Sequence, residues 1–333
     1  MELVVTVDAE EDQWGMAPSG IASATNIQQI PALQKIFNDH HVVPTYLLTY
    51  PVAQDEKAAA VFQDLLGAGR CEIGMHCHPW NTPPYQEVMN RYNSMLCNLP
   101  ASLQLEKLQR LHETLHRRFE RPPLAFRSGR WGFGRETAGI LARLGCRVDT
   151  SITPYTSWTA SDGPDFSSYS PHTFSFSSGD LSRNDLNGDM LEVPVTIGYV
   201  GGSFARCHRL RKRLTKPPFD QLHLTGALAK LGLLRSVWLS PERETPARLA
   251  RLLRQSMREG CGIVNLFFHS SSMQVGCTPF VRTPDDKEHF LRSLSTILEF
   301  CQESGITSVP LSQAAQILHN GSKGALIERI AVS

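Results

Sequence analysis

Leu3-Val4-Val5-Thr6-Val7-Asp8 opens the chain as an apolar, β-branched run that ends in a carboxylate, with Glu10 two residues further on. Such a run predicts a buried strand, and an acid left at its mouth needs a partner or a job. Working outward, Thr25 reads as the cap of a helix whose Ile27, Ile30, Leu33, Ile36 and Phe37 recur at helical spacing. A strand is predicted over 44–50, a helix over 56–66 stopped by Gly67 and Gly69, and a strand over 71–76. Leu105, Leu108, Leu111, Leu115 and Phe119 mark a long helix that ends before Pro122-Pro123. Strands over 125–129, 146–151, 191–197 and 262–269 follow, with helices over 136–144, 245–259 and 285–303 and a last short strand at 308–311. Strand and helix alternate throughout, the pattern of parallel β/α units. The predicted fold class is α/β, a distorted (β/α) barrel of seven or eight parallel strands. One domain is expected over 1–320, with irregular insertions near 156–189 and 199–245 and a tail at 321–333.

Composition narrows the function. Lys and Arg number 33 against 32 Asp and Glu, a net charge of +1, which argues against a nucleic-acid binder. Hydrophobic residues at 41% and charged residues at 20% suit a globular chain and not a disordered one. No apolar run approaches the roughly 18 residues of a membrane span, and the first residues show neither a basic region nor a cleavage site of a secretory signal. A cytoplasmic location is expected. The cysteines include no Cys-x-x-Cys pair, so they read as reduced, mostly buried thiols.

Ionisable residues gather at the C-terminal ends of the predicted strands: Asp8 and Glu10, His76 and His78, Arg127, Asp149, and His269. That edge is where barrel enzymes carry their chemistry. In His76-Cys77-His78 the two imidazoles share one face of an extended segment, so both reach one cation, while Cys77 points away. Two imidazoles and the Glu10 carboxylate make an open three-ligand set of the kind found in catalytic zinc sites. Arg127 and Asp149 read either as site residues or as a structural ion pair. Trp80, Trp131 and Trp158 read either as core or as the walls of a sugar cleft.

Five stretches together carry a resemblance. They are Thr6-Val7-Asp8-Ala9-Glu10-Glu11-Asp12, Cys71 to Trp80, Phe126 to Gly132, Val148-Asp149-Thr150-Ser151, and Phe267-Phe268-His269-Ser270. In this order the chain resembles the NodB-homology polysaccharide deacetylases, carbohydrate esterase family four, and within them the WalW-like branch of lipopolysaccharide biosynthesis. The likeness spans residues 3 to about 312 and implies a distorted (β/α) barrel that removes an N-acyl group from an amino sugar with a divalent metal, zinc by default. By position it implies Asp8 as general base, Glu10, His76 and His78 as metal ligands, and His269 as general acid. Arg127 would orient Asp8, and Asp149 would tune the acid. This chain has Glu10 where the family has a second Asp, and its histidines stand two apart where the family's stand four apart.

The leading expectation is therefore a metal-dependent deacetylase acting on a precursor of surface polysaccharide or lipopolysaccharide, carried free or on a nucleotide or lipid. Hydrolysis of another amide, a formamide or a cyclic ureide, is a second reading, and a non-catalytic barrel in polysaccharide assembly a third. The basic run Arg206–Lys216 is either a solvated face or a patch for diphosphate or anionic lipid headgroups, which would bring the protein to a membrane surface. Oligomeric state is not readable.

Overall fold

The computed structural model describes residues 1–15, 22–181, 184, 185, 187–217, 226, 228 and 234–314. The expected tail at 321–333 and the domain end at 320 lie outside them. The described strands are β1 (Glu2–Ala9), β2 (Thr45–Leu48), β3 (Glu72–Cys77), β4 (Ala125–Ser128), β5 (Val148–Asp149), β6 (Phe174–Phe176), β7 (Met190–Glu192), β8 (Ile197–Tyr199), β9 (Ser236–Trp238), β10 (Ile263–His269) and β11 (Thr307–Ser308). The main sheet runs β10-β1-β2-β3-β4-β5-β7-β6 and curls into a half-barrel, with β11 beside the start of β1. All its pairings are parallel except that of β6 with β7.

Helices α1 (Ile30–Asp39), α2 (Tyr50–Gln54), α3 (Glu56–Gly67), α4 (Ala101–Phe119), α5 (Arg135–Arg143), α6 (Phe204–Leu214), α7 (Pro246–Arg258) and α8 (Pro284–Glu303) fill the connections. Their caps follow local chemistry. The Asp55 side chain accepts from Ala58 N ahead of α3, and Thr283 and Asp286 form a reciprocal capping box at α8. Val5, Val7, Tyr46, Leu48, Met75 and Phe126, on the outer face of the sheet, share one core with Leu33, Phe37, Phe62, Leu108, Leu111, Leu252 and Leu294 of the helices.

Inside the curl the strands build layers. Val4, Leu47, Ala125, Val148, Leu191, Ile263 and Leu311 plug the N-terminal end with hydrocarbon. One step up each strand lies a buried polar ring. Thr6 Oγ1 donates to Asn265 Oδ1 at 2.9 Å, Asn265 Nδ2 to Thr150 Oγ1 at 2.7 Å, and Thr150 Oγ1 to the Val193 carbonyl at 2.7 Å. Arg127, fully buried, donates through Nη2 to Thr6 Oγ1 and Thr150 Oγ1 and through Nε to the Thr150 carbonyl. Every member finds partners, the condition under which polar groups persist in a core.

The structure revises the sequence reading at the closure. The strand predicted over 191–197 is two strands, β7 and β8, separated by Pro194, which has no N–H to give a ladder. The chain leaves the main sheet there and pairs β8 with β9 in a small antiparallel sheet. The gap to β10 is spanned by irregular backbone: Thr196 N to Asn265 O at 3.1 Å, Leu239 N to Thr196 O at 2.8 Å, and Phe267 N to Leu239 O at 3.1 Å. The expected irregular stretches also hold β6, β9 and α6, whose Arg206, Arg209, Arg211 and Lys212 are exposed. No helix among the described residues is long and apolar enough to cross a membrane, and all eight cysteines are free, six of them buried.

Candidate active site

Register brings the strand-end residues together. Asp8 pairs with His269 across β1 and β10, and His76 with Arg127 across β3 and β4. Residues in register on neighbouring strands face the same side, here the open end of the curl above the polar ring. Arg127 Nη1 donates to Asp8 Oδ1 at 2.6 Å, both side chains being buried. Asp8 Oδ2 lies 3.8 Å from His269 Nε2. The acidic loop after β1 splits its work. Asp8 and Glu10 face the cleft, whereas Glu11 accepts from Thr49 and Asn81, and Asp12 accepts from Thr25 and Asn26.

Glu10 Oε1 stands 2.8 Å from His76 Nε2 and 3.0 Å from His78 Nε2. His76 Nδ1 lies 3.0 Å from the Arg127 carbonyl, which can only accept, so Nδ1 carries the proton. A neutral His76 then turns a lone pair toward a carboxylate, and two acceptors at 2.8 Å require a cation or a further proton between them. Burial alone would lower the His76 imidazole, but Asp8 and Glu10 outweigh it and raise it. Burial would likewise raise Glu10, yet the two histidines hold it well below the usual carboxylate range. The donor atoms of Glu10, His76 and His78 are close enough to serve one ion, and Asp8, Glu10 and His269 form a second such group that shares Glu10. The residues therefore fit a divalent metal, with nitrogen and oxygen ligands and the site open to the cleft.

Glycine at 129 is part of this arrangement. A Cβ there would collide with the His78 ring at Nδ1, so the backbone after β4 forms one wall against the imidazole. His78 also packs on Trp80 at 4.1 Å between ring centroids. The loop beyond is held from below by Lys107 of α4. Its buried ammonium donates to the carbonyls of Pro79, Thr82 and Pro84 at 2.7–2.9 Å and pairs with Glu87 at 2.9 Å.

Asp149 does not reach His269. It follows Val148, which points into the curl, so its own side chain turns to the opposite face. There it accepts from Ser151 and pairs in register with Glu192; burial raises both carboxyls, and the Asp149 charge raises Glu192 further. The contact expected of Asp149 belongs to Glu242. Its fully buried carboxylate lies 3.0 Å from His269 Nδ1 and also accepts from His269 N and Ser272 Oγ. Burial would lower His269, but Glu242 first, then Glu10 and Asp8, push it up to about 9. The sequence pattern does not single out Glu242, because 236–239 falls inside the insertion expected over 199–245. As a strand, it would have shown another acid just beyond an apolar run.

The cleft has a volume of about 420 Å³ and brings together Asp8, Glu10, His76, His78, Arg127 and His269, and not Asp149. Trp14, Trp80, Trp131 and Trp158 line it as well, with Arg130 and Arg243. Trp14 meets His269 edge to face at 4.8 Å.

No protein-family model matches the chain, and no curated relative does. Solved structures do. A protein from Mycobacterium smegmatis described as a polysaccharide deacetylase aligns over 96% of this chain and 91% of its own, with 16% identity and a TM-score of 0.56. One from Parabacteroides distasonis described as a glycoside hydrolase/deacetylase aligns over 96% and 71%, with 12% identity and a TM-score of 0.59. PuuE allantoinase aligns over 96% and 90%, with 13% identity and a TM-score of 0.52. At such identities the likeness is one of fold: the chain has the curled, mostly parallel sheet of structures described as polysaccharide deacetylases.

Proposed function

We propose that the protein is a metal-dependent amide hydrolase that removes an N-acetyl group from an amino sugar. One observation carries this reading: two imidazole Nε2 atoms and one carboxylate converge with a paired acid and base beside them. Glu10, His76 and His78 would hold the metal, zinc being the ion best matched by two imidazoles and a carboxylate. A divalent cation there supplies Lewis acidity, which polarises a carbonyl and makes water easier to deprotonate.

The chain's own residues do the rest. Arg127 fixes Asp8 Oδ1 and leaves Oδ2 toward the cleft, where it takes the proton of the attacking water. The water oxygen bonds to the acyl carbon, and the C–N bond breaks as His269 Nε2 gives its proton to the leaving amine. Glu242 holds the other ring nitrogen and keeps His269 protonated at neutral pH. The products are acetate and a free amino sugar, and the tryptophans offer faces for the sugar ring. We assign the substrate to precursors of surface polysaccharide or lipopolysaccharide, processed in the cytoplasm.

Metal analysis of the purified protein, with acetate release measured before and after chelation, tests this. Bound metal with chelator-sensitive release of acetate is expected. Absence of metal uptake, or activity indifferent to chelation, overturns it. The likeness to an allantoinase makes a cyclic amide the second substrate to assay, and its opening frees no separate acid whereas a formamide frees formate.

A further inference from the structure

Three guanidinium groups line the cleft, and they are not in the same state. Arg127 is committed to Asp8. Among the described residues, neither Arg130 nor Arg243 has a carboxylate within ion-pair distance. Arg243 lies between two acids in sequence, but both are engaged elsewhere, Glu242 with His269 and Glu244 with Arg235 and Arg248. Its guanidinium instead lies over Trp238 at 4.8 Å and over Phe280 at 5.1 Å. A guanidinium held by its faces keeps its in-plane N–H donors for another partner.

Arg130 is half-buried and donates from Nη1 to Ser94 Oγ. It has φ 53°, and Trp131 after it has φ 64°. Two successive non-glycine residues in the left-handed region are costly, and such strain gathers at functional sites. Here it turns both side chains to the cleft. The position of Arg243 gives direction. Phe280, which it covers, stacks on His269 at 6.2 Å, so this cation borders the side from which the leaving amine receives its proton. The acidic end of the cleft, with Asp8 and Glu10, would repel a negative ligand group, and the arginine rim would attract it.

Resting on the reading that an amino sugar is deacetylated here, we propose that this sugar carries an oxyanion, a phosphate or a carboxylate, bound by Arg243 with Arg130 as the second cation. Both groups present paired oxygens to a guanidinium fork, which is the chemistry they share.

Calorimetric titration of the purified protein with N-acetylglucosamine, its 1-phosphate, its 6-phosphate and N-acetylmuramic acid tests this. At least one anionic probe should bind about tenfold or more tighter than the neutral sugar, as charge-assisted pairing implies. The tighter class, phosphate or carboxylate, names the group. The double variant Arg130→Gln/Arg243→Gln should lose the preference, and Arg130→Lys/Arg243→Lys, which keeps the charge, should retain part of it. Equal affinities, no binding of any anionic probe, or a preference that survives the double glutamine variant overturns the inference. Binding is read without product analysis, so the two readings fail separately. Anionic preference without acid release removes the deacetylase and keeps this inference; acetate release with no anionic preference does the reverse.

Discussion

The Glu242 carboxylate lies 3.0 Å from His269 Nδ1 and accepts the His269 main-chain N–H at 2.9 Å, so one acid fixes both the ring and the backbone of the proposed proton donor. Glu242→Gln keeps an acceptor there and removes the charge that most strongly raises His269. A proton donor works below its pKa, so wild-type activity should fall on the alkaline side as His269 loses the proton that Glu242 helps it keep. In the variant that alkaline limb should move to lower pH, with kcat reduced about 10–100-fold at neutral pH. A pH–rate profile of the metal-loaded protein checks it, and an unmoved limb refutes the role.

Gly129 supports His78 by having no side chain. Because a Cβ at this position meets the imidazole, Gly129→Ala must push the ring off Glu10. Metal affinity should drop by about tenfold or more, the scale seen when a ligand loses its orienting support. Competition titration against a chelating dye measures this, with thermal unfolding as the check that the fold persists.

Lys107 and Glu87 form a buried pair that also binds three loop carbonyls. Lys107→Met should cost about 3–5 kcal/mol, because it leaves Glu87 and those carbonyls uncompensated. Adding Glu87→Leu should recover part of that loss by removing the stranded charge, and the carbonyls account for the remainder. Urea unfolding of the singles and the double gives the coupling, and purely additive losses would dismiss the pair.

Asp149 and Glu192 predict a slope in stability with pH. Burial raises both carboxyls and the Asp149 charge raises Glu192 further, so the folded pair retains a proton that the unfolded chain gives up near the ordinary carboxylate range. That contribution is complete below the unfolded pKa and is lost as pH rises toward the folded one, by up to about 1.4 kcal/mol per pH unit for one proton. Glu192→Gln should flatten the slope. Unfolding free energies from pH 4 upward test it, and parallel curves for the two proteins contradict it.

The strand ends were readable because each strand announces itself. Leu3–Val7 and Ile263–Phe268 are apolar runs, and the polar residue closing each falls at the same edge of a parallel sheet. What escaped depends on chain direction in space. Asp149 and Thr150 are adjacent, and only the inward turn of Val148 decides that Thr150 joins the polar ring while Asp149 faces away. Pro194 marks the break between β7 and β8, yet the partner strand lies some forty residues later, beyond what local pattern encodes. The role of Glu242 follows from that pairing, since Leu239 joins the seam and carries the acid to His269.

Arg127 ties the aim of Asp8 to the polar ring between β1, β4, β10 and the turn after β5. The guanidinium thus serves as keystone and gunsight at once. A change that re-aimed the carboxylate would have to loosen the masonry beneath it, so the proposed base is insulated from any change that leaves the ring intact.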